Sequence, residues 1–158
     1  MFDSIEELVT HFGLTPHPEG GFFSEVFRSS TLVTHPIHGA SRPASTAILF
    51  LLTPTSFSAF HRLRSDEVWH YYGGDPVRLH LLSGLGVRSE LELGPGNPFA
   101  VVPAESWQAA RCTGDRFSLC GCTVAPGFEF EDFELGSRSQ LVAAFPDERN
   151  LIEAFTRE

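Results

Sequence analysis

Lysine is absent from the 158 residues; all eleven basic side chains are arginine. A Schiff-base mechanism through a lysine amine is therefore excluded. Positive charge is scarce altogether: twenty Asp and Glu leave a formal net charge of −9. So acidic a chain repels a phosphate backbone, which argues against general nucleic-acid binding. No apolar run reaches the roughly 18 residues that a membrane-crossing helix needs. No charged region followed by an apolar core stands at the N-terminus, so no secretory signal is expected. Cysteine is limited to Cys112, Cys120 and Cys122. An odd count without a signal points to reduced thiols in the cytoplasm. Cys120 and Cys122 share a strand face and read as buried small hydrophobes rather than a metal pair. Internal repeats and low-complexity linkers are lacking too.

What the chain holds is apolar bulk. Hydrophobic residues make up 42%, and fifteen residues are Phe, which suits one domain with a substantial core. Residues 4–12 open with a capping box, Ser4 and Glu7, and Ile5, Leu8, Val9 and Phe12 recur at helical spacing. That predicts an amphipathic helix, stopped near Gly13 and laid over one side or end of the fold. Residues 16–21 are turn-rich and lead into a strand over 22–29. Residues 31–43 read as a loop whose His35 and His38 are solvated, since no carboxylate or thiol lies nearby in sequence. The apolar run 47–52 predicts a strand buried on both faces. Residues 77–82 and 86–93 are an expected hairpin, and 99–102 a short strand. Residues 107–111 and 117–124 are expected to pair across Thr113-Gly114-Asp115, with 128–135 a last extended segment. Pro146 separates two short helices over 137–145 and 147–155. Short, regularly spaced strands with Gly/Pro turns specify a sandwich or barrel.

The pattern is organised around residues 60–76, FHRLRSDEVWHYYGGDP. They read as strand, short bend, strand and tight turn. Side chains alternate along a strand. Glu67, Trp69 and Tyr71 then share one face, and Val68, His70 and Tyr72 the other. A bend at Ser65 is expected to bring His61 and Glu67 onto one concave wall.

The spacing His61-x-Leu63-x3-Glu67-x6-Gly74 resembles the first motif of the cupin superfamily, in which a His-x-His-x3-Glu set binds a divalent metal inside a small β-barrel. The second motif of that superfamily adds a His five residues after a Pro. Here Leu63 stands at the second position and Gln108, five residues after Pro103, at the fourth, with Glu105 at a usual glycine. A fuller resemblance runs through residues 17–23 (HPEGGFF), 45–52, 61–76, 103–110 and 125–133. It is to a family of small, mostly uncharacterised single-domain cupins, close in shape to the deoxythymidine-diphosphate-sugar epimerases. The resemblance implies a mostly β, cupin-type double-stranded β-helix (a jelly-roll barrel) with an N-terminal helix and short C-terminal helices. It also implies a homodimer, with residues 22–27 as the strand to exchange.

Three readings of the site stay open. The first is a small-molecule enzyme without metal, of the epimerase or isomerase kind. His61 would be the general base, Glu67 would hold its tautomer and Tyr71 would be the general acid. The second is a metal enzyme, with Fe, Mn, Ni or Zn on His61, Glu67, Gln108 and a fourth group such as His70. It is disfavoured, because Gln is a poor ligand beside imidazole and carboxylate and His70 faces away from Glu67. No cofactor is therefore expected. The third is a non-catalytic binding module. Phe60, Trp69, Tyr71, Trp107 and Phe130 would stack a nucleobase or sugar ring, Gln108 would line the site, and Arg28 or Arg62 would grip a phosphate. The expected ligand is a nucleoside diphosphate or nucleotide-sugar.

Overall fold

The computed structural model describes residues 2 and 4–157. Ser4 accepts the Glu7 N–H at 3.1 Å and starts helix α1 (Ile5–Phe12), which Gly13 ends in the left-handed region at φ 61°. After β1 (Thr15–Pro16) the chain turns through two glycines into β2 (Phe22–Arg28). A hairpin of β3 (Leu32–Thr34) and β4 (Ser41–Pro43) precedes β5 (Thr46–Leu52). Then come β6 (Phe57–Leu63), β7 (Asp66–Gly74), β8 (Val77–Leu82), β9 (Arg88–Leu93), β10 (Phe99–Val102), β11 (Trp107–Cys112) and β12 (Ser118–Ala125). A 3₁₀ turn at Phe130–Asp132 leads to β13 (Phe133–Leu135), and helices α2 (Arg138–Ala144) and α3 (Arg149–Ala154) follow. Among the described residues no helix is long and apolar enough to cross a membrane.

The strands form two facing sheets. One has the order β1-β2-β5-β12-β7-β10 and the other β13-β6-β11-β8-β9. The bend after Leu63 therefore carries the chain from one sheet to the other, and so does the tight turn after Gly74. His61 and Glu67 lie on facing walls, not on one. The expected 107–111/117–124 pairing is not formed either. β11 lies between β6 and β8, whereas β12 lies between β5 and β7. Alternation and a Gly turn look alike in a hairpin and in a crossover, so local sequence does not separate them.

Between the sheets lies a core of Phe50, Leu52, Trp69, Leu79, Leu93 and Cys120 among others. The outer faces are covered separately. Leu8, 1% exposed, packs with Leu14, Leu51 and Phe117 and fixes α1 on the six-stranded sheet; burying one such side chain contributes about 2 kcal/mol. Phe60, Leu82 and Ala109 on the five-stranded sheet are roofed by Leu141, Ile152 and Phe155 of the C-terminal helices.

The turn into β2 depends on glycine. Gly20 has φ 111°, and a Cβ there would overlap the Phe57 carbonyl oxygen and the Arg157 guanidinium. Gly20→Ala is expected to lower unfolding free energy by about 2 kcal/mol or more, read by chemical denaturation. A loss below about 0.5 kcal/mol would show that this turn does not hold the entry strand.

Candidate functional site

Irregularities in the strands build the site. β6 carries a bulge, with Ala59 and Phe60 opposite the single Ala109. Ser58 and His61, three apart and hence on opposite faces of a regular strand, can both turn inward. Glu19, at the Gly-Gly turn, meets them there. Its Oε1 accepts the Ser58 hydroxyl at 2.9 Å, and its Oε2 lies 3.1 Å from His61 Nε2 and 3.6 Å from His17 Nδ1. His61 Nδ1 is 2.8 Å from the Ala59 carbonyl oxygen. A carbonyl only accepts, so Nδ1 carries the proton and the neutral ring turns its Nε2 lone pair toward Glu19. The contact is then a hydrogen bond donated by the Glu19 carboxylic acid, with one proton between the pair.

The facing wall supplies Glu67. Its Oε2 accepts Gln108 Nε2–H at 2.6 Å, while Gln108 Oε1 accepts Trp69 Nε1–H at 2.9 Å, so a polar chain ties the two sheets. The Cys122 thiol donates to Glu67 as well. Burial pushes Glu19 up to about 7, against smaller opposing effects of His17, Ser58 and Arg157. Burial also raises Glu67 to about 7 and pushes the Cys122 thiol well up. Desolvation lowers His61 and His17. Near neutrality the site is thus two neutral imidazoles beside two carboxyls that titrate where most carboxyls are already charged.

These groups line a cavity of about 80 Å³, with Phe23, Leu63, Phe128, Phe130 and Phe133 as its apolar walls. At the mouth a second bulge adds Val26 to β2, between Glu25 and Phe27. It shifts the alternation so that Arg28 joins Phe23 and Glu25 on the cavity side. Arg28 gives Nε and Nη2 to Glu25 at 2.9 Å each and Nη1 to Glu129 at 2.7 Å, strapping β2 to the aromatic segment.

Of the residues singled out from sequence, His61, Glu67, Arg28 and Phe130 line the cavity, and Gln108 stands behind Glu67. Tyr71 does not: its hydroxyl donates to the Gly74 carbonyl at 2.7 Å and its ring packs against the core. Trp69 is a core ring, edge-on to Phe50 at 5.5 Å. Phe60 and Trp107 face outward beneath the C-terminal helices. Arg62 lies over Trp107 at 4.7 Å and pairs with Glu134 at 2.7 Å. His70 meets Thr123 at 3.1 Å. Cys122, read from sequence as a buried small hydrophobe, lines the cavity too, as do Phe128 and Phe133 of the last extended segment, whereas His17, Glu19, Phe23, Glu25 and Glu129 were not singled out. Two ionisable residues directly ahead of the Gly20-Gly21 turn were the available signal for His17 and Glu19.

Of the two loop histidines, His38 is exposed as expected and His35 is not. His35 is 1% exposed and bonds Ser65 at 2.9 Å, and its ring stacks on His38 at 3.9 Å. His38 Nε2 lies 2.9 Å from Asp132, which Arg42 holds at 2.7 Å. The missing carboxylate came from a residue 94 positions on. Among the described residues, only this group of three His, Cys, Asp or Glu brings its ligand atoms within 4.8 Å of one another. Both rings accept a backbone N–H at Nδ1, at 3.2 Å. Each Nε2 then carries the hydrogen, and the cluster is a closed set of hydrogen bonds that anchors the aromatic segment.

Two sheets wrapped as a double-stranded β-helix around an acid–base cluster define a cupin-type barrel. Residues 6–136 match the Cupin superfamily (DUF985), and the chain belongs to that family. It is 33% identical to a hypothetical protein from Leishmania major, with TM-score 0.92 over 98% of this chain and 99% of that one. A Shewanella oneidensis protein is 32% identical, with TM-score 0.90 over 99% of each chain. An uncharacterised Saccharomyces cerevisiae protein is 28% identical over 155 residues, 82% of this chain and 73% of its own length.

The shared proton has a measurable consequence. Glu19 has a folded-state value of about 7 against an ordinary 4.5, so its stabilising contribution is complete below about 4.5 and is lost as pH rises through about 7. Glu19→Gln cannot ionise. Between pH 5 and 8 the variant is expected to gain about 1–3 kcal/mol relative to wild type, read by denaturant unfolding. A difference that is flat or opposite in sign would refute a protonated Glu19.

Proposed function

We propose that the barrel is an acid–base site that moves a proton on a small carbonyl compound without a resident metal, an isomerase- or epimerase-type reaction. The observation that carries this is His61, with its tautomer set by the Ala59 carbonyl and its Nε2 3.1 Å from the Glu19 carboxyl in the cavity. Glu19 gives its proton to the substrate carbonyl oxygen. The Nε2 lone pair thus uncovered takes the proton from the adjacent carbon, leaving a neutral enediol. Delivery of the His61 proton to the former carbonyl carbon, while the neighbouring hydroxyl of the enediol gives its proton to Glu19, completes the isomerisation of a hydroxy-carbonyl compound with no net redox change. Glu67 stabilises the transient imidazolium across the cavity.

The cupin fold implies a divalent ion at this level of the barrel. The residues do not fit one as arranged. Leu63 has no donor atom. The Trp69 indole only donates, so it fixes the Gln108 amide with its oxygen on the indole and its N–H, not a lone pair, toward Glu67.

The narrower expectation of a nucleotide-sugar has the exposed Phe130 at the mouth in its favour. Against it stand an Arg28 already held by two carboxylates and a cavity of about 80 Å³, where drug-sized ligands occupy about 300–1,000 Å³. The test is proton exchange into deuterium oxide, followed by NMR on a panel of small hydroxy- and amino-carbonyl compounds. Exchange is expected, unchanged by EDTA and reduced at least about 100-fold in His61→Ala and in Glu19→Gln. Exchange that needs added metal, or none across the panel, would overturn the reading.

The working form is proposed to be a homodimer. Val26 and Phe27 are 57% and 53% exposed on β2, whose edge away from β5 is paired, among the described residues, only at Phe22 and Phe23. Such an edge invites a second strand. Light scattering at micromolar concentration should give the dimer mass, and Phe27→Glu should lower it. A monomeric wild type would reject the assembly.

A further inference from the structure

The lining of the cavity is one-sided in charge. Among the described residues four carboxyl groups, Glu19, Glu25, Glu67 and Glu129, face it against a single guanidinium, Arg28. Arg28 does not offset them for an incoming ligand. Its Nε and Nη2 are on Glu25, its Nη1 is on Glu129, and Nη2 also reaches the Phe128 carbonyl at 3.2 Å. Glu25 and Glu129 with Arg28 leave one negative charge at the mouth, and the two interior carboxyls add more as they ionise. The histidines, neutral near pH 7, add no positive charge.

The apolar part of the lining has a matching shape. Phe128 and Phe130 are 5.0 Å apart at 82°, Phe130 and Phe133 6.1 Å at 76°, and Phe128 and Phe133 6.2 Å at 68°. Three rings mutually near perpendicular make the corner of a box, and all three line the cavity. Phe130 is 54% exposed, so this corner is open to what enters and not closed core. Aromatic faces attract cations through the ring quadrupole, most strongly where water is partly excluded. Plain hydrophobic packing would not require carboxylates on either side of the corner.

We infer that the barrel takes a small organic cation, an alkylammonium group seated against Phe128, Phe130 and Phe133 and balanced by the surrounding carboxylates. This rests on the barrel being the ligand site and names its substrate class: a carbonyl compound bearing a positively charged nitrogen. The pH dependence follows from the neighbours. Glu19 faces His17, His61, Ser58 and Arg157; Glu67 faces His61, Gln108, Cys122 and the Glu19 charge. Raising pH through about 7 ionises both carboxyls, while lowering it charges the histidines. Both changes favour cation binding at the higher pH.

Calorimetry on the full chain with tetramethylammonium chloride, the neutral tert-butanol and thymidine diphosphate is the test. Tetramethylammonium is expected to bind at least tenfold tighter than tert-butanol at pH 8, and at least threefold tighter at pH 8 than at pH 6. Phe130→Ala, on the surface and outside the core, is expected to weaken it at least threefold, and Glu129→Gln to weaken it as well. Equal binding of cation and neutral isostere, tighter binding of the diphosphate, or no cation binding at millimolar concentration would overturn the inference. Binding is read without turnover. Deuterium exchange without cation binding would therefore discard the cation and keep the acid–base reading, and cation binding without exchange would do the reverse.

Discussion

The cost of taking carboxyl groups out of water governs the interior of this barrel. Glu19 and Glu67 are each 6% exposed, and an unpaired carboxylate so placed would be destabilising by several kcal/mol. The fold meets that cost by keeping protons on the acids and by filling their hydrogen-bonding positions. Ser58 and His61 serve Glu19; Gln108 and Cys122 serve Glu67. The same desolvation that would make the pair a liability tunes it, because a carboxyl that titrates near 7 can give and take a proton at physiological pH.

Satisfying those acids makes demands on the backbone. Ser58 and His61 reach the same carboxyl through the bulge in β6, and Arg28 reaches the mouth through the bulge in β2. Gly20 lets the entry loop pass close to the Phe57 carbonyl so that Glu19 points inward. Arg157 holds that loop from outside. It donates to the Glu19 carbonyl at 2.6 Å and to the Phe57 carbonyl at 2.9 Å, with its guanidinium 4.3 Å from the Phe57 ring. The chain beyond the barrel is thus part of the site's support and does more than roof the five-stranded sheet.

The mouth is held by a different set of charges. Arg42 and His38 fix Asp132 within the aromatic segment, and Arg28 ties the two residues of that segment it reaches, Phe128 and Glu129, to β2. Phe130 and Phe133 are therefore positioned by these ion pairs together with the pairing of Phe133 on β6 and its stacking on His61. Ion pairs that are partly exposed are weak singly. The buried Arg42–Asp132 pair, bidentate at 2.7 and 3.1 Å, anchors this segment more firmly than the exposed Arg28 contacts.

The sequence by itself determined the elements and the class of fold. The Ser4–Glu7 box, the alternation around Glu67, the turns after Gly73 and Gly94, and Pro146 are local signals, written in residues that are neighbours along the chain. They placed α1, most strands and both C-terminal helices, and the motif at His61 and Glu67 placed the barrel's ionisable pair. Tertiary structure alone decided which strands share a sheet, which is why 107–111 and 117–124 part company. It alone decided which side chains meet. Glu19 reaches His61 across 42 residues and Asp132 reaches His38 across 94, and neither approach leaves a periodic trace. Bulges carry the rest: a single extra residue reverses every later side chain on its strand, and the one at Val26 brings Arg28 to the side of Phe23 and Glu25. Trp69 was placed on the inward face as alternation requires, yet burial made it a core ring. Alternation tells which way a side chain points; it does not tell whether space or another side chain lies in front of it.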